Sequence, residues 1–368
     1  MTVRMLGVGL LAGCFATSAA LRADEIPEKY RETVKKALTW LVKQQHKDGH
    51  WGANADQSPV SMTSLAGMAL LMEGSTVRDG KYAPNIRQAA NWLMERSMKG
   101  GGRDGLIGNP DHPTEAGRYM YGHGFGLLFL SSVYGDEEDR DRREKLKDIL
   151  TRAVKYSVAS QSSRGGWYYI SKTEGGDNDE GSVTITQVQA LRAARNAGIP
   201  VPKQAVKKTY EYLKECTSPN GAVYYSFRSR SERPAITAAA IACLFNAGEY
   251  KDELCKKWFK YCHRTIGIGQ NIGGPRIGHD EYTHYYFGQC MYILGDDGWE
   301  KLYGSTPEAE RLTWSKYRAQ MFDHLQRTQN ADGSWTGTGG WGVGPVYSTA
   351  IYATIMQLDK GTLPIYQR

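Results

Sequence analysis

Paired cysteines, linkers and long apolar runs are scarce in this chain, and each scarcity excludes something. Six cysteines are spread over 368 residues, and none stands in a Cys-x-x-Cys spacing, which removes the usual thiolate metal and redox motifs. Five of them, Cys216, Cys243, Cys255, Cys262 and Cys290, follow the N-terminal segment, so at least one thiol stays free. Cys255 and Cys262 lie two helical turns apart, beyond disulfide reach of one another, and Cys243 reads as a small buried hydrophobe. No apolar run follows the first twenty residues. No Pro- or Ser-rich linker interrupts residues 30–360, so residues 24–368 read as a single domain. A serine nucleophile elbow, a phosphate-binding loop and a thioester Cys-Gly-Glu-Gln are all missing, which leaves hydrolase, nucleotide and complement-like chemistry without support. Basic residues exceed acidic ones by seven. They are mixed with glutamates along helical stretches, as on a solvated face, and no nucleic-acid partner is expected.

The N-terminus has the pattern of an export signal. Met1 to Arg4 form a short basic region, Met5 to Ala20 carry no charge, and small residues precede Asp24. Two cleavage readings stay open: Leu11-Ala12-Gly13-Cys14 resembles a lipobox with Cys14 as the lipidated residue, and Ser18-Ala19-Ala20 an ordinary peptidase site. Removing residues 1–23 takes away Arg4 and Arg22 and leaves a charge of +5. The expected location is the periplasm, cell envelope or exterior, with a membrane contacted only through an N-terminal lipid.

What the chain does contain is a repeat. Gln45-His46-Lys47-Asp48-Gly49-His50-Trp51 returns as Gln329-Asn330-Ala331-Asp332-Gly333-Ser334-Trp335. Weaker copies fall at Gly105-Leu106-Ile107, Gly165-Gly166-Trp167 and Gly221-Ala222-Val223, so the last motif position recurs at 51, 107, 167, 223 and 335. The slot near 279 is filled in length but not in pattern. This period suits a unit of helix, turn and second helix. First helices are expected at 31–44, 86–97, 140–160, 203–216, 252–264 and 313–329, each apolar along one stripe. Second helices are expected at 62–72, 116–133, 183–196, 235–246, 285–294 and 346–358. The second set is apolar nearly all round, and a helix without a polar face must be surrounded. Six exposed-type helices alternating with six buried-type ones imply an outer and an inner ring. Short strands are expected only at 167–170 and 223–227, and Gly74, Gly135, Gly198, Gly248 and Gly295 are placed to end second helices in a left-handed conformation.

The run Lys36-Ala37-x-x-Trp40-Leu41-Val42, followed by Gln45 and Asp48-Gly49-x-Trp51, resembles the repeat of squalene cyclases and protein prenyltransferase beta subunits. The resemblance covers about residues 30–360 and extends to exported bacterial single-domain proteins built from prenyltransferase and squalene oxidase repeats. It implies an all-α fold, an α6/α6 toroid of twelve main helices in two concentric rings. Where prenyltransferases carry zinc ligands, Tyr282 and His284 stand in place of Asp and Cys, and Ser348 in place of His. The resemblance therefore implies no zinc centre of that type, and no cofactor is expected.

Class II terpene cyclases carry Asp-x-Asp-Asp at the start of an inner helix. Asp177-Asn178-Asp179-Glu180 stands at the matching place, which makes Asp179 the candidate proton donor, with Asp177 and Glu180 raising its pKa by like-charge repulsion and His123 nearby. The alternative is a solvated loop ending in a helix cap at Ser182. Aromatic and polar residues crowd the starts of the inner helices: Tyr119, Tyr121 and Phe125; Tyr282, Tyr285 and Tyr286; Trp341, Tyr347 and Tyr352. Arg276, Asp280 and His284 accompany them. In a toroid these residues face the central axis, where they suit an isoprenoid or polycyclic ligand, or a glycan. A catalyst requires an open apolar cavity with Asp179 facing in. A non-catalytic envelope module binding protein or glycan requires a filled cavity and an aromatic or charged patch on the loop-rich face.

Overall fold

The computed structural model describes residues 25–249, 252–267, 280–337 and 343–367. The expected export signal at residues 1–23, with Cys14, and the candidates Arg276 and Trp341 lie outside them. Among the described residues twelve main helices alternate between two roles. The outer set is α1 (Glu28–Gln44), α3 (Ala83–Glu95), α5 (Arg140–Ser160), α7 (Lys203–Glu215), α9 (Glu253–Thr265) and α11 (Trp314–Thr328). The inner set is α2 (Pro59–Leu71), α4 (Tyr119–Tyr134), α6 (Gly181–Asn196), α8 (Pro234–Ala247), α10 (Asp280–Leu294) and α12 (Pro345–Ile355). Every residue of α2 is buried, whereas α7 buries only Ala205, Thr209, Tyr212 and Leu213. Each inner helix packs on the two beside it, and α12 packs back on α2, so the inner ring is closed. Outer helices lie between inner neighbours, α3 against α2 and α4, α5 against α4 and α6. No strand forms among the described residues; the expected strand positions are isolated bridges such as Trp167 with Glu180 and Thr217 with Val223.

In the first, third and sixth units a glutamine of the repeat turn joins one unit to the next. Gln45 Nε2 donates to Gly49 O within its own turn at 2.8 Å and to Asn85 O at the start of α3 at 3.0 Å. Gln161 does the same to Gly165 O and Ala205 O, both at 2.9 Å. Gln329 reaches Gly333 O and Thr33 O, again at 2.9 Å, and this last bond ties the sixth unit to the first. The motif tryptophans are equally consistent, Trp51, Trp167 and Trp335 donating Nε1 to Leu41 O, Ser157 O and Leu325 O. The motif glycine presses against the backbone of the next outer helix. At Gly165, with φ of +105°, an added Cβ would lie 2.1 Å from Lys208 O.

Two expectations need correction. Gly135 continues in right-handed geometry with φ of −63°, because the chain turns again through Asp136 and Glu137 before α5. Helix α10 is already helical at Asp280, five residues before the expected 285, and its acidic residues Asp280 and Glu281 suit the N-terminal end of a helix. The five cysteines among the described residues are buried and free, and burial pushes the Cys216 and Cys255 thiols up to about 12.

Gly165→Ala combines a left-handed backbone with a backbone clash and should cost roughly 2 kcal/mol or more. Gly117→Ala, which meets nothing within 4 Å, should stay within about 0.5 kcal/mol. Urea unfolding of the chain from residue 24 onward measures both; equal effects would remove the welding role of the turn.

Candidate functional site

The acidic run before α6 splays in three directions. Asp177 is exposed and accepts the Ser163 amide at 2.7 Å, with the Ser163 hydroxyl on its other oxygen. These bonds hold its carboxyl below the usual range. Asp179 is buried and accepts the Phe227 amide at 2.9 Å. It borders an open groove of about 710 Å³ shared with Arg164, Lys207, Lys208, Glu211 and Arg228, on the side of outer helix α7. The inward-facing Asp179 required of a proton donor is therefore not the geometry found: the bridge between Trp167 and Glu180 fixes the strand direction, and alternate residues point opposite ways. Glu180 turns the other way, to the inner face. It is fully buried and caps α6 in place of the expected Ser182, accepting the amides of Ser182 at 2.6 Å and Val183 at 3.2 Å as well as the Ser182 hydroxyl.

Around Glu180 the inner-helix tyrosines converge. Tyr121 bonds the Ser182 hydroxyl, Tyr282 donates to Ser182 O at 3.3 Å from α10, and Tyr169 and Tyr225 bond each other through their hydroxyls. Arg118 lies 5.0 Å over the Tyr169 ring and Arg233 6.0 Å over Tyr225. Both arginines are exposed, each immediately before an inner helix. Of this group, sequence reasoning singled out Tyr121, Tyr282 and Glu180 and missed Tyr169, Tyr225 and the two arginines. A signal was available, because Tyr168-Tyr169 and Tyr224-Tyr225 follow the last motif residue, Trp167 and Val223, in the same register of consecutive repeats.

Deeper along the axis the chain fills its own lumen. Gln189 of α6 donates to Gln289 of α10 at 2.6 Å, across the intervening α8. Tyr285 and Tyr366 share a hydroxyl bond at 2.9 Å, and the C-terminal turn Pro364–Tyr366 packs on α6, having passed the end of α2 where Thr362 donates to Met72 O. Tyr286 is fully buried against the Tyr282 and Tyr285 rings.

The remaining candidates act on the repeat itself. The backbone amide of the last motif residue needs an acceptor on the following inner helix. Thr63, Thr184, Thr237 and Thr349 supply it to Trp51, Trp167, Val223 and Trp335. In the second unit His123 Nδ1 takes that place, accepting from Ile107 at 3.2 Å. Complete burial lowers its pKa to about 3, so the ring is neutral. His284 holds the equivalent position on α10, between Tyr317 Oη at 3.0 Å and Gly267 O at 3.1 Å. Asp280 lies 3.4 Å from His284 and accepts from Tyr352 at 3.1 Å; burial opposes its ionisation, but these two partners hold its carboxyl below the ordinary value. Tyr119 accepts the Ser171 amide at 2.9 Å, Phe125 is buried, and Tyr347 is partly buried on α12.

No protein-family model matches the chain. It is similar to the squalene–hopene cyclase of Alicyclobacillus acidocaldarius, 26% identical over 199 residues, 47% of this chain and 29% of that enzyme. The squalene-hopene cyclase of Schizosaccharomyces japonicus is 29% identical over 177 residues, 44% of this chain and 25% of its own. The matches thus span less than a third of those enzymes. Among solved structures, a type II terpene cyclase from Scytonema bound to geranylgeranyl dihydroxybenzoate superposes with a TM-score of 0.55 at 13% identity, covering 90% of this chain and 97% of that one. An α-1,6-mannanase from Salegentibacter reaches 0.60 at 10% identity, covering 90% and 98%. The fold is the squalene cyclase-like α/α toroid.

In this toroid Glu180 at the start of α6 and Glu115 at the start of α2 are buried carboxyls that cap inner helices, Glu115 accepting the Val60 amide at 2.9 Å. Burial pushes each from an ordinary 4.5 up to about 7, against the amides that pull them down. The folded state therefore holds these protons more tightly than the unfolded one. Stability should fall as pH rises from about 4.5 to about 7, with the penalty complete above that range. Glu180→Gln and Glu115→Gln should each flatten the decline in melting temperature between pH 5 and 7.5 (about the same window); an unaltered slope would place the titration elsewhere.

Proposed function

We propose that the protein is an exported, non-catalytic glycan-binding toroid whose site is the tyrosine-lined mouth on the turn face. The observation that carries this reading is the occupation of the axis by the chain's own side chains, the Gln189–Gln289 and Tyr285–Tyr366 pairs. They stand where an apolar polycycle would need open, dry space, and they are polar. What remains accessible is a rim of tyrosine rings and hydroxyls flanked by Arg118 and Arg233, which offers stacking faces and hydrogen bonds together, as sugars require. The likeness to a mannanase bound to α-1,6-mannotetraose supports a toroid mouth as a place for oligosaccharides. Tyr121, Tyr169, Tyr225, Tyr282 and Tyr347 are the residues proposed to contact ligand.

Binding rather than catalysis follows from the acids. Asp177, Asp179 and Glu180 each accept backbone amides of the chain itself and face different sides, so they do not form a pair across one bond to be cleaved. Export is proposed on the N-terminal pattern of residues 1–23.

The mature chain should bind oligosaccharides on a glycan array, and calorimetry on the best of them should show Tyr225→Ala weakening affinity about tenfold, roughly 1.4 kcal/mol, without changing the melting temperature. A shortened oligosaccharide after incubation, or an isoprenoid carried through purification from the host envelope and seen by native mass spectrometry, would overturn the reading.

A further inference from the structure

The first repeat turn departs from the others in a way that builds a different kind of site. In the sixth turn Ser334 donates its hydroxyl to Asp332 at 2.7 Å, and Asn330 donates to Ser334 at 3.1 Å. In the first turn both polar residues are replaced by histidines, His50 for Ser334 and His46 for Asn330. His50 keeps the repeat's role with one edge, its Nδ1 lying 2.6 Å from Asp48 Oδ1. Asp48 is in turn fixed by the Trp92 indole at 3.0 Å, and the Trp92 ring stacks on His50 at 5.1 Å.

The other edge has no counterpart in the sixth turn. His50 Nε2 lies 2.8 Å from Asp56 Oδ1, and the His46 ring is 4.1 Å away, centroid to centroid. Donor atoms of His46, His50 and Asp56 all fall within 4.8 Å of one another. Asp56 is brought there by a loop in which Asn54, Ala55, Asp56 and Ser58 all take positive φ, closed by the bridge between Ala53 and Gln57. Both ring nitrogens of His50 face carboxylates, Nδ1 toward Asp48 and Nε2 toward Asp56, so Nδ1–H bound to Asp48 leaves Nε2 directed at the space it shares with Asp56 and His46.

We infer that His46, His50 and Asp56 form a divalent transition-metal site on the turn face, with zinc as the fitting ion. Two imidazoles and a carboxylate are a zinc donor set, and three protein ligands leave a fourth position open to water or an exogenous ligand. Asp48 is a positioning residue: it holds Nδ1–H and so presents Nε2 to the ion, the carboxylate–histidine–metal arrangement. Ligand distances near 2 Å need only small rotations of His46 and Asp56, which are exposed and partly exposed, respectively.

The test uses the tag-free mature chain stripped with a chelator. Calorimetric titration with zinc chloride should give one equivalent per chain, and titration with cobalt(II) should give the visible absorption of a tetrahedral site. His46→Asn and Asp56→Asn, both on the surface turn, should each weaken zinc binding at least tenfold. His263→Asn, exposed on α9, should leave it unchanged. Zinc should raise the melting temperature of the parent chain and not of Asp56→Asn. Absence of saturable binding, or binding that survives both substitutions, would overturn the assignment. Glycan binding at the tyrosine mouth is measured separately and does not bear on the result.

Discussion

The motif glutamine belongs structurally to two repeats at once. One amide nitrogen closes its own turn and also reaches a carbonyl at the start of the next outer helix, at Asn85, Ala205 and, around the closure, Thr33. Helix hairpins of this kind have an apolar inner helix that cannot be left in water, so each depends on its neighbour for cover. The glutamine bond, the buried tryptophan and the motif glycine set the angle at which that neighbour arrives. Because the sixth turn makes the same bond to the first unit, the array closes as a ring instead of continuing as an open superhelix.

A closed ring fixes which end of every inner helix meets the turns. Helix starts, with unpaired amides and positive potential, gather on one face, and carboxylates collect there in response: Glu180 and Glu115 as caps, Asp280 and Glu281 in the first turn of α10. Much of the chemistry-bearing inventory on this face is thus engaged by the scaffold. His123 illustrates the point, since its Nδ1 does for the second turn what a threonine hydroxyl does for four others. Groups beyond these structural duties carry the functional readings: the tyrosine hydroxyls with their arginines, and the second edge of His50.

The axis separates this toroid from a simple hollow cylinder. Glutamine and tyrosine pairs cross it, and the C-terminal turn runs beneath the ring to put Tyr366 against Tyr285. A hydrogen-bonded lumen of this sort resists apolar filling, because a greasy ligand would strand buried donors and acceptors at about 1–3 kcal/mol each. The mouth, by contrast, keeps rings and hydroxyls within reach of solvent.

The sequence alone determined the alternation of striped and all-apolar helices, the period of the turns and hence the two-ring toroid, because periodicity and burial are local consequences of side-chain type. It also marked Tyr121, Tyr282 and Glu180 as belonging to the inner-helix starts. Tertiary structure alone decided which way neighbouring acids point, Asp179 toward the groove beside α7 and Glu180 inward, since one bridge with Trp167 sets the register of that strand-like turn. It likewise decided that Gln189 meets Gln289 a hundred residues away, that Tyr169 meets Tyr225 across a repeat, and that Asp56 returns to His50 through a left-handed loop. Those contacts depend on ring closure and backbone direction, which no single stretch of sequence carries.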